Sequence, residues 1–187
     1  MHFDINKLKH LGKNSIIGKN VLIRYPKECI IGDNVIIDNF TYISAPIEIG
    51  DGCHIASNVV ISGGSKGKLV MDKYSGIGAH SAVLCASSNF HAVNLDMPSV
   101  PEDIAFCEIE NHPPVTKIGA LILIGTHCTI MPGTDLPDGT AWGSHSLITN
   151  KQYEKFTLYG GIPAKRLGRR DTTAIEQTKT WKELYEC

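Results

Sequence analysis

From Ile118 onward a large apolar residue recurs at 118, 124, 130, 136, 142 and 148, a step of six held without a slip. The fifth residue of each unit is Ile122, Cys128, Thr134, Thr140 or Ser146, mostly small, and Gly or Pro tends to follow the large residue. A helix needs apolar positions every three or four residues and a flat strand every two, so this period suits neither. It suits a chain that turns a corner every six residues. Three such units close an eighteen-residue triangular coil, and stacked coils pair strand on strand about 4.8 Å apart. The large residue then points to the prism axis and the small one packs inside near the corner.

The same register runs upstream through Ile31, Ile37, Ile43, Ile49, Ile55 and Ile61, and again through Met71, Ile77 and Val83 with Ser75 and Ser81 at the small place. Hexapeptide repeats on this scale predict an all-β chain, a parallel β-helix in which one repeat cannot bury its own apolar face and the stack is the folding unit. Ile17, Val21 and Ile23 begin the first partial coil. The eight-residue step from Ile23 to Ile31 predicts a bulge at Tyr25 to Glu28. The ten-residue step from Ile61 to Met71 predicts a small loop at Gly63 to Gly67.

Three segments fall outside the repeat. Residues 1–14 read as a lead-in helix, capped by Asp4, carrying Leu8 and Leu11 and ending at Gly12. Residues 15–150 form the β-helix, broken once by an excursion at 87–114 that holds Asn89, His91, Asp96, Glu102, Glu108 and His112 among four prolines. A long loop of this composition in a compact repeat points to function or disorder. Residues 151–187 cap the open end, first with an irregular segment around Gly160, Gly161 and Pro163, then with a helix opened by a capping box from Thr173 to Glu176.

Composition narrows the picture. A chain of 187 residues, 42% of them apolar, suggests one domain with a substantial core. With 18 basic and 19 acidic residues the net charge of -1 gives no reason to expect a nucleic acid or an anionic membrane as partner. No apolar run is long enough to span a bilayer, and the opening residues do not read as a signal peptide, so a cytoplasmic protein is expected. The six cysteines show no CxxC pair. Cys53 and Cys128 fall at the small inward place, where a thiol acts as a compact apolar group. The histidines form no close pair of the kind a shared zinc needs, so no metal is expected. His80, His127 and His145 are each fourth in their unit and stack along one edge, the simplest reading being an exposed polar column.

The repeat, the excursion, the Ile124-to-Thr134 unit IGTHCTIMPGT and the GGIPAKR run at 160–166 together resemble the hexapeptide-repeat acyltransferases, over roughly residues 15 to 170. Within them the chain is most similar to the galactoside and sugar acetyltransferase branch. The resemblance implies a left-handed parallel β-helix, a homotrimer, and acetyl-CoA as acetyl donor in the groove between adjacent prisms. It implies cofactor contacts from Thr126, Gly143, Ser144, Thr149 and Lys165, and an acceptor that is a sugar or nucleotide-linked sugar. The chain departs from many relatives at Asn150, where they carry Lys. The small residues at 125, 143 and 144 are also what an extended ligand needs to approach the backbone.

Acyl transfer requires the acceptor to lose a proton as it attacks the thioester, and a histidine suits that step. His91 lies in the right loop, although Ser88 stands at the place the base takes in relatives and His91 comes three residues later. His80, Asn89 and Asp96 are the candidates for lining the acceptor pocket. A hydroxyl acceptor depends strongly on a base and an amine less so, which leaves O- and N-transfer both open. The other class of reading is a noncatalytic β-helix scaffold that binds a partner through its loop.

Overall fold

The computed structural model describes residues 4–87 and 115–185. It is a three-sided parallel β-helix. Face 1 stacks His10–Leu11, Ile30–Ile31, Ile47–Ile49, Lys68–Met71, Val115–Ile118 and Asp135–Leu136. Face 2 stacks Ile16–Ile17, Ile36–Ile37, His54–Ile55, Gly76–Ile77, Leu123–Ile124, Ala141–Trp142 and Thr157–Gly160, and an antiparallel strand, Lys165–Arg169, ends it. Face 3 stacks Leu22–Ile23, Tyr42–Ser44, Val60–Ser62, Ala82–Leu84, Thr129–Ile130 and Leu147–Ile148.

The predicted register holds across the excursion: Met71 pairs with Ile118, Ile77 with Ile124 and Val83 with Ile130. Every large residue of the period from Ile31 to Ile148 is buried. Each such side chain is worth roughly 1.5–3 kcal/mol relative to leaving it in water. The small inward residues serve the corners as well as the core. Ser75 Oγ donates to the Gly119 carbonyl at 2.7 Å and accepts from the Ile122 N–H at 2.9 Å, linking neighbouring coils. Ser81 repeats the arrangement with Gly125 and Cys128, both at 3.1 Å. A buried polar atom without a partner would be costly, so Ser or Thr at this place is both the right size and the right chemistry.

Corner 1 joins faces 1 and 2, corner 2 joins faces 2 and 3, and corner 3 returns to face 1. The bulge expected at Tyr25 to Glu28 is a short 3-10 turn, Pro26–Glu28, and the Gly63 to Gly67 loop closes on itself with a 3.0 Å bond from Gly67 N–H to Gly63 O. Both roots of the excursion, Leu84 and Val115, lie at corner 3, where Thr116 Oγ1 donates to Leu84 O at 3.0 Å.

At both ends the structure differs from expectation. In place of a lead-in helix there is one 3-10 turn, Ile5–Lys7, and His10–Leu11 already pairs with Ile30–Ile31. A single helical turn is marginal in water, whereas an open strand edge supplies backbone partners at once. At the other end the stack outlasts the six-residue period. Leu158 and Tyr159 pair with Ala141 and Trp142, and the Tyr159 and Trp142 rings stack at 4.8 Å with Tyr153 set edge-on to both. Large aromatic rings close the prism where aliphatic residues filled it below. The terminal helix is Lys179–Tyr185, starting later than the capping box suggested. Thr172 and Glu176 do bond, but as a turn. Thr178 Oγ1 caps the helix by accepting from Trp181 N–H at 3.2 Å.

Candidate functional site

Three successive coils present the same four-residue corner at corner 2: Gly78-Ala79-His80-Ser81, Gly125-Thr126-His127-Cys128 and Gly143-Ser144-His145-Ser146. The first residue of each is glycine, the third is in the left-handed region and exposed, and the fourth points inward. Thr126 and Ser144 are exposed neighbours. Ser144 Oγ accepts from the Thr126 N–H at 3.2 Å and from Thr126 Oγ1 at 3.3 Å.

The glycines are not equivalent. A Cβ on Gly125 would come within 2.6 Å of Ser144 N, so coil stacking alone demands glycine there. A Cβ on Gly143 would meet nothing closer than 3.6 Å. Packing within the chain therefore does not explain Gly143, and its bareness leaves the backbone open beside Ser144. One coil further on, Gly160 is paired with Lys165, which places that lysine at the end of the same edge.

The edge thus brings together five of the residues predicted from sequence: His80, Thr126, Gly143, Ser144 and Lys165. Thr149 stands apart, beyond the strand Leu147–Ile148 and towards corner 3, its backbone held by Tyr153, whose Oη accepts from Thr149 N–H at 3.2 Å and donates to Thr149 O at 2.8 Å. Asn89, His91 and Asp96 lie outside the described residues. The exposed histidine column expected from the period is present. The rings of His80 and His127 stack at 4.9 Å and those of His127 and His145 at 4.8 Å, with interplanar angles of 20° and 14°.

Beneath this edge Cys128 is buried, with Sγ 3.3 Å from the Gly143 carbonyl, and burial pushes its thiol pKa up. Burial also pushes Cys29 and Cys53 up to about 11 and Cys85 up to about 12. Thiolate is the nucleophilic form, so these four are structural. A separate crevice of about 440 Å³ opens at corner 1 between face 2 and the C-terminal arm, lined by His54, Tyr74, Leu123, Phe156, Arg170 and Ile175 among others. Among the described residues no helix is long and apolar enough to cross a membrane.

Comparison with known proteins places this geometry. The family model described as bacterial transferase hexapeptide (six repeats) matches residues 28–63. The chain is 30% identical, over 97% of its length and 95% of the relative's, to a dTDP-4-amino-4,6-dideoxy-D-glucose acyltransferase of Escherichia coli. It is 27% identical, over 79% of its length and 75% of the relative's, to a chloramphenicol acetyltransferase of Agrobacterium fabrum. Among solved structures it superposes with a TM-score of 0.81 and 25% identity, over 95% of its length and 92% of the other's, on a variant of AntD. AntD is an N-acyltransferase from Bacillus cereus, and that structure is a complex with dTDP-4-amino-4,6-dideoxyglucose and coenzyme A. With a left-handed β-helix, the corner glycines and a relative matched from end to end, the chain belongs to the hexapeptide-repeat acyltransferases, within their sugar acyltransferase branch.

Proposed function

We propose that the enzyme transfers an acetyl or similarly short acyl group from its coenzyme A thioester to the amino group of a nucleotide-linked amino sugar. The observation that carries this reading is the end-to-end similarity to an acyltransferase for dTDP-4-amino-4,6-dideoxy-D-glucose. The open backbone at Gly143 supports the donor's position along corner 2, with Ser144 and Thr126 beside the pantetheine arm and Lys165 towards the phosphates.

In this reading the sugar amine attacks the thioester carbonyl carbon directly, the C–S bond breaks and coenzyme A leaves as the thiolate. The amine's proton passes to His91, the proposed general base, with His80, Asn89 and Asp96 lining the acceptor pocket. The inert state of Cys128, the nearest described thiol to the donor edge, favours direct transfer over an acyl-cysteine intermediate.

A homotrimer completes the proposal. Ile16, Phe40 and Leu123 are exposed at 60%, 64% and 59% on or beside face 2, and Leu22 and Val60 are also exposed on the outside of face 3. These apolar residues flank corner 2 on both sides, where a neighbouring prism would wall the donor groove and bury them. A cytoplasmic location goes with this reading, since a coenzyme A thioester and a nucleotide-linked sugar would meet the enzyme there.

The test is coenzyme A thiol release, with product mass, from acetyl-CoA and dTDP-4-amino-4,6-dideoxyglucose, alongside a hydroxyl acceptor such as chloramphenicol. Turnover of the amino sugar with an N-acyl product supports the proposal. Turnover of the hydroxyl acceptor alone would overturn the amine assignment. His91→Ala that loses only a few-fold in rate would overturn its role as the base.

A further inference from the structure

The corner-1 crevice continues onto face 2, where the outward residues form a column. Ile36, His54, Gly76, Leu123 and Ala141 lie over one another in strict register, and Gly76 is the rung without a side chain. Paired strands lie about 4.8 Å apart, so His54 and Leu123 bracket a slot about 9.6 Å tall. A planar ring set edge-on over Gly76 would have His54 against one face and Leu123 against the other. The histidine column at corner 2 shows that this spacing suits stacked rings, since its neighbouring rungs meet at 4.8 and 4.9 Å.

Packing within the chain gives no reason for this glycine. A Cβ on Gly76 would meet nothing closer than the His54 carbonyl oxygen at 3.9 Å, and its φ is not left-handed. Gly78, two residues on, is different, because a Cβ there would fall 2.6 Å from the Gly125 backbone. Glycine weakens a strand interior and marks places where a ligand or another backbone comes close. The crevice around Gly76, about 440 Å³, is of the size that holds small molecules. Tyr74 bounds it at corner 1, its ring lying over Gly52, whose own Cβ would fall 2.6 Å from Tyr74 Cδ1. Along the same coil the outward floor stays bare through Gly78 and ends at His80 on the donor edge. Four residues separate Gly76 from His80, at most about 13 Å of extended strand.

We propose that the slot between His54 and Leu123, floored by Gly76 and bounded by Tyr74, holds the pyrimidine ring of the nucleotide-linked acceptor. The ribose and diphosphate then run over Gly78, and the sugar amine arrives at the donor edge beside His80. In the proposed trimer the ligand lies between face 2 and the neighbouring prism. Stacking supplies affinity through the faces of the ring, and a gap one rung tall admits one ring layer. The slot thereby selects a nucleotide-linked sugar over a free one, which has no ring to place there. This inference rests on the acceptor being nucleotide-linked, the reading carried by the end-to-end similarity to a dTDP-sugar acyltransferase.

The experiment is isothermal titration of dTDP and, separately, of coenzyme A into the full chain, with turnover of dTDP-4-amino-4,6-dideoxyglucose measured alongside. Wild type is compared with Gly76→Val, which fills the slot with a residue suited to a strand, and with Tyr74→Asn. Asn keeps the left-handed corner, as Asn14 and Asn34 do below it. Gly76→Val should weaken dTDP by about tenfold or more and Tyr74→Asn by about fivefold, the scale of a lost base stack. Coenzyme A affinity should stay within about twofold in both, the scale of a surface change away from its site. Equal dTDP affinity in wild type and Gly76→Val would overturn the slot and leave the acceptor class standing. Should Gly76→Val not fold, unchanged affinity in Tyr74→Asn does the same. A Gly76→Val chain that dissociates in light scattering would mean that a neighbouring prism fills the slot, which also overturns the proposal. Turnover by a wild type that does not bind dTDP would overturn the slot alone, whereas neither turnover nor dTDP binding would overturn the acceptor reading beneath it.

Discussion

At the scale of single residues, the corner glycines separate what the fold requires from what a ligand requires. Gly125→Ala puts a methyl group 2.6 Å from the Ser144 backbone nitrogen, and backbone can yield only by shifting a whole coil. Overpacking of this kind costs roughly 1–3 kcal/mol, so a lowered thermal midpoint is expected. Gly143→Ala adds the same methyl group at ordinary contact distance, 3.6 Å from the Tyr159 carbonyl oxygen, and should leave the midpoint nearly unchanged while weakening coenzyme A binding. Melting curves and donor titration on the two variants check this, and equal loss of stability in both would remove the argument that Gly143 is kept open for a ligand.

Among elements, the C-terminal arm shows how non-repetitive sequence is fastened to a repetitive body. Arg170 Nη1 donates to the carbonyls of Leu121 at 3.0 Å and Gly139 at 2.8 Å, gathering two successive corners. Trp181 and Tyr185 pack on Phe156 at 5.3 and 5.8 Å, and Phe156 itself sits in the left-handed place of the same corner column. Arg170→Ala removes a charged donor from these carbonyls, a loss of about 1.5–3 kcal/mol from the local stability of the arm. Limited proteolysis should then cut between residues 170 and 178 faster than in wild type, with the β-helix core intact. Unchanged cutting would mean that the aromatic contacts alone hold the arm.

For the whole molecule, corner 1 is stapled coil to coil by carboxylates. Asp33 Oδ1 accepts from Lys13 N–H at 2.7 Å, Asp51 Oδ1 from Asp33 N–H at 2.9 Å, and Asp138 Oδ1 from Ala120 N–H at 3.1 Å. The Asp33 backbone N–H, followed by the Lys73 ammonium, holds the Asp51 carboxyl below its ordinary value of 3.8. A carboxyl whose pKa is lower folded than unfolded adds stability that is fully present above the unfolded value and is lost as pH falls through the folded one. Denaturant midpoints should therefore be flat from pH 7 to about 5 and decline below about 4. Asp51→Asn should lower the plateau and shallow that decline. An acid limb of the same steepness in the variant would show that Asp51 is not among the groups responsible.

The strict step of six from Ile31 to Ile61 and from Ile118 to Ile148 by itself determined the prism and its register. A period of six with small fifth residues has one compact solution, and local spacing is enough to state it. The excursion's place, the bulge at Pro26 and the inert inward cysteines were legible for the same reason, since each is a departure from or a position within the period. Tertiary structure decided what depends on contacts between coils far apart in the chain. It made His10–Leu11 a strand because an edge was waiting for it. Tyr159 became a further layer because Trp142 lay beneath. Only the structure told Gly125 from Gly143, since the atom each glycine would strike belongs to another coil. It also set the angles of 20° and 14° at which the three histidine rings, already expected to stack from their shared place in the period, meet. Spacing says which residues share an edge, and only packing says which of them touch.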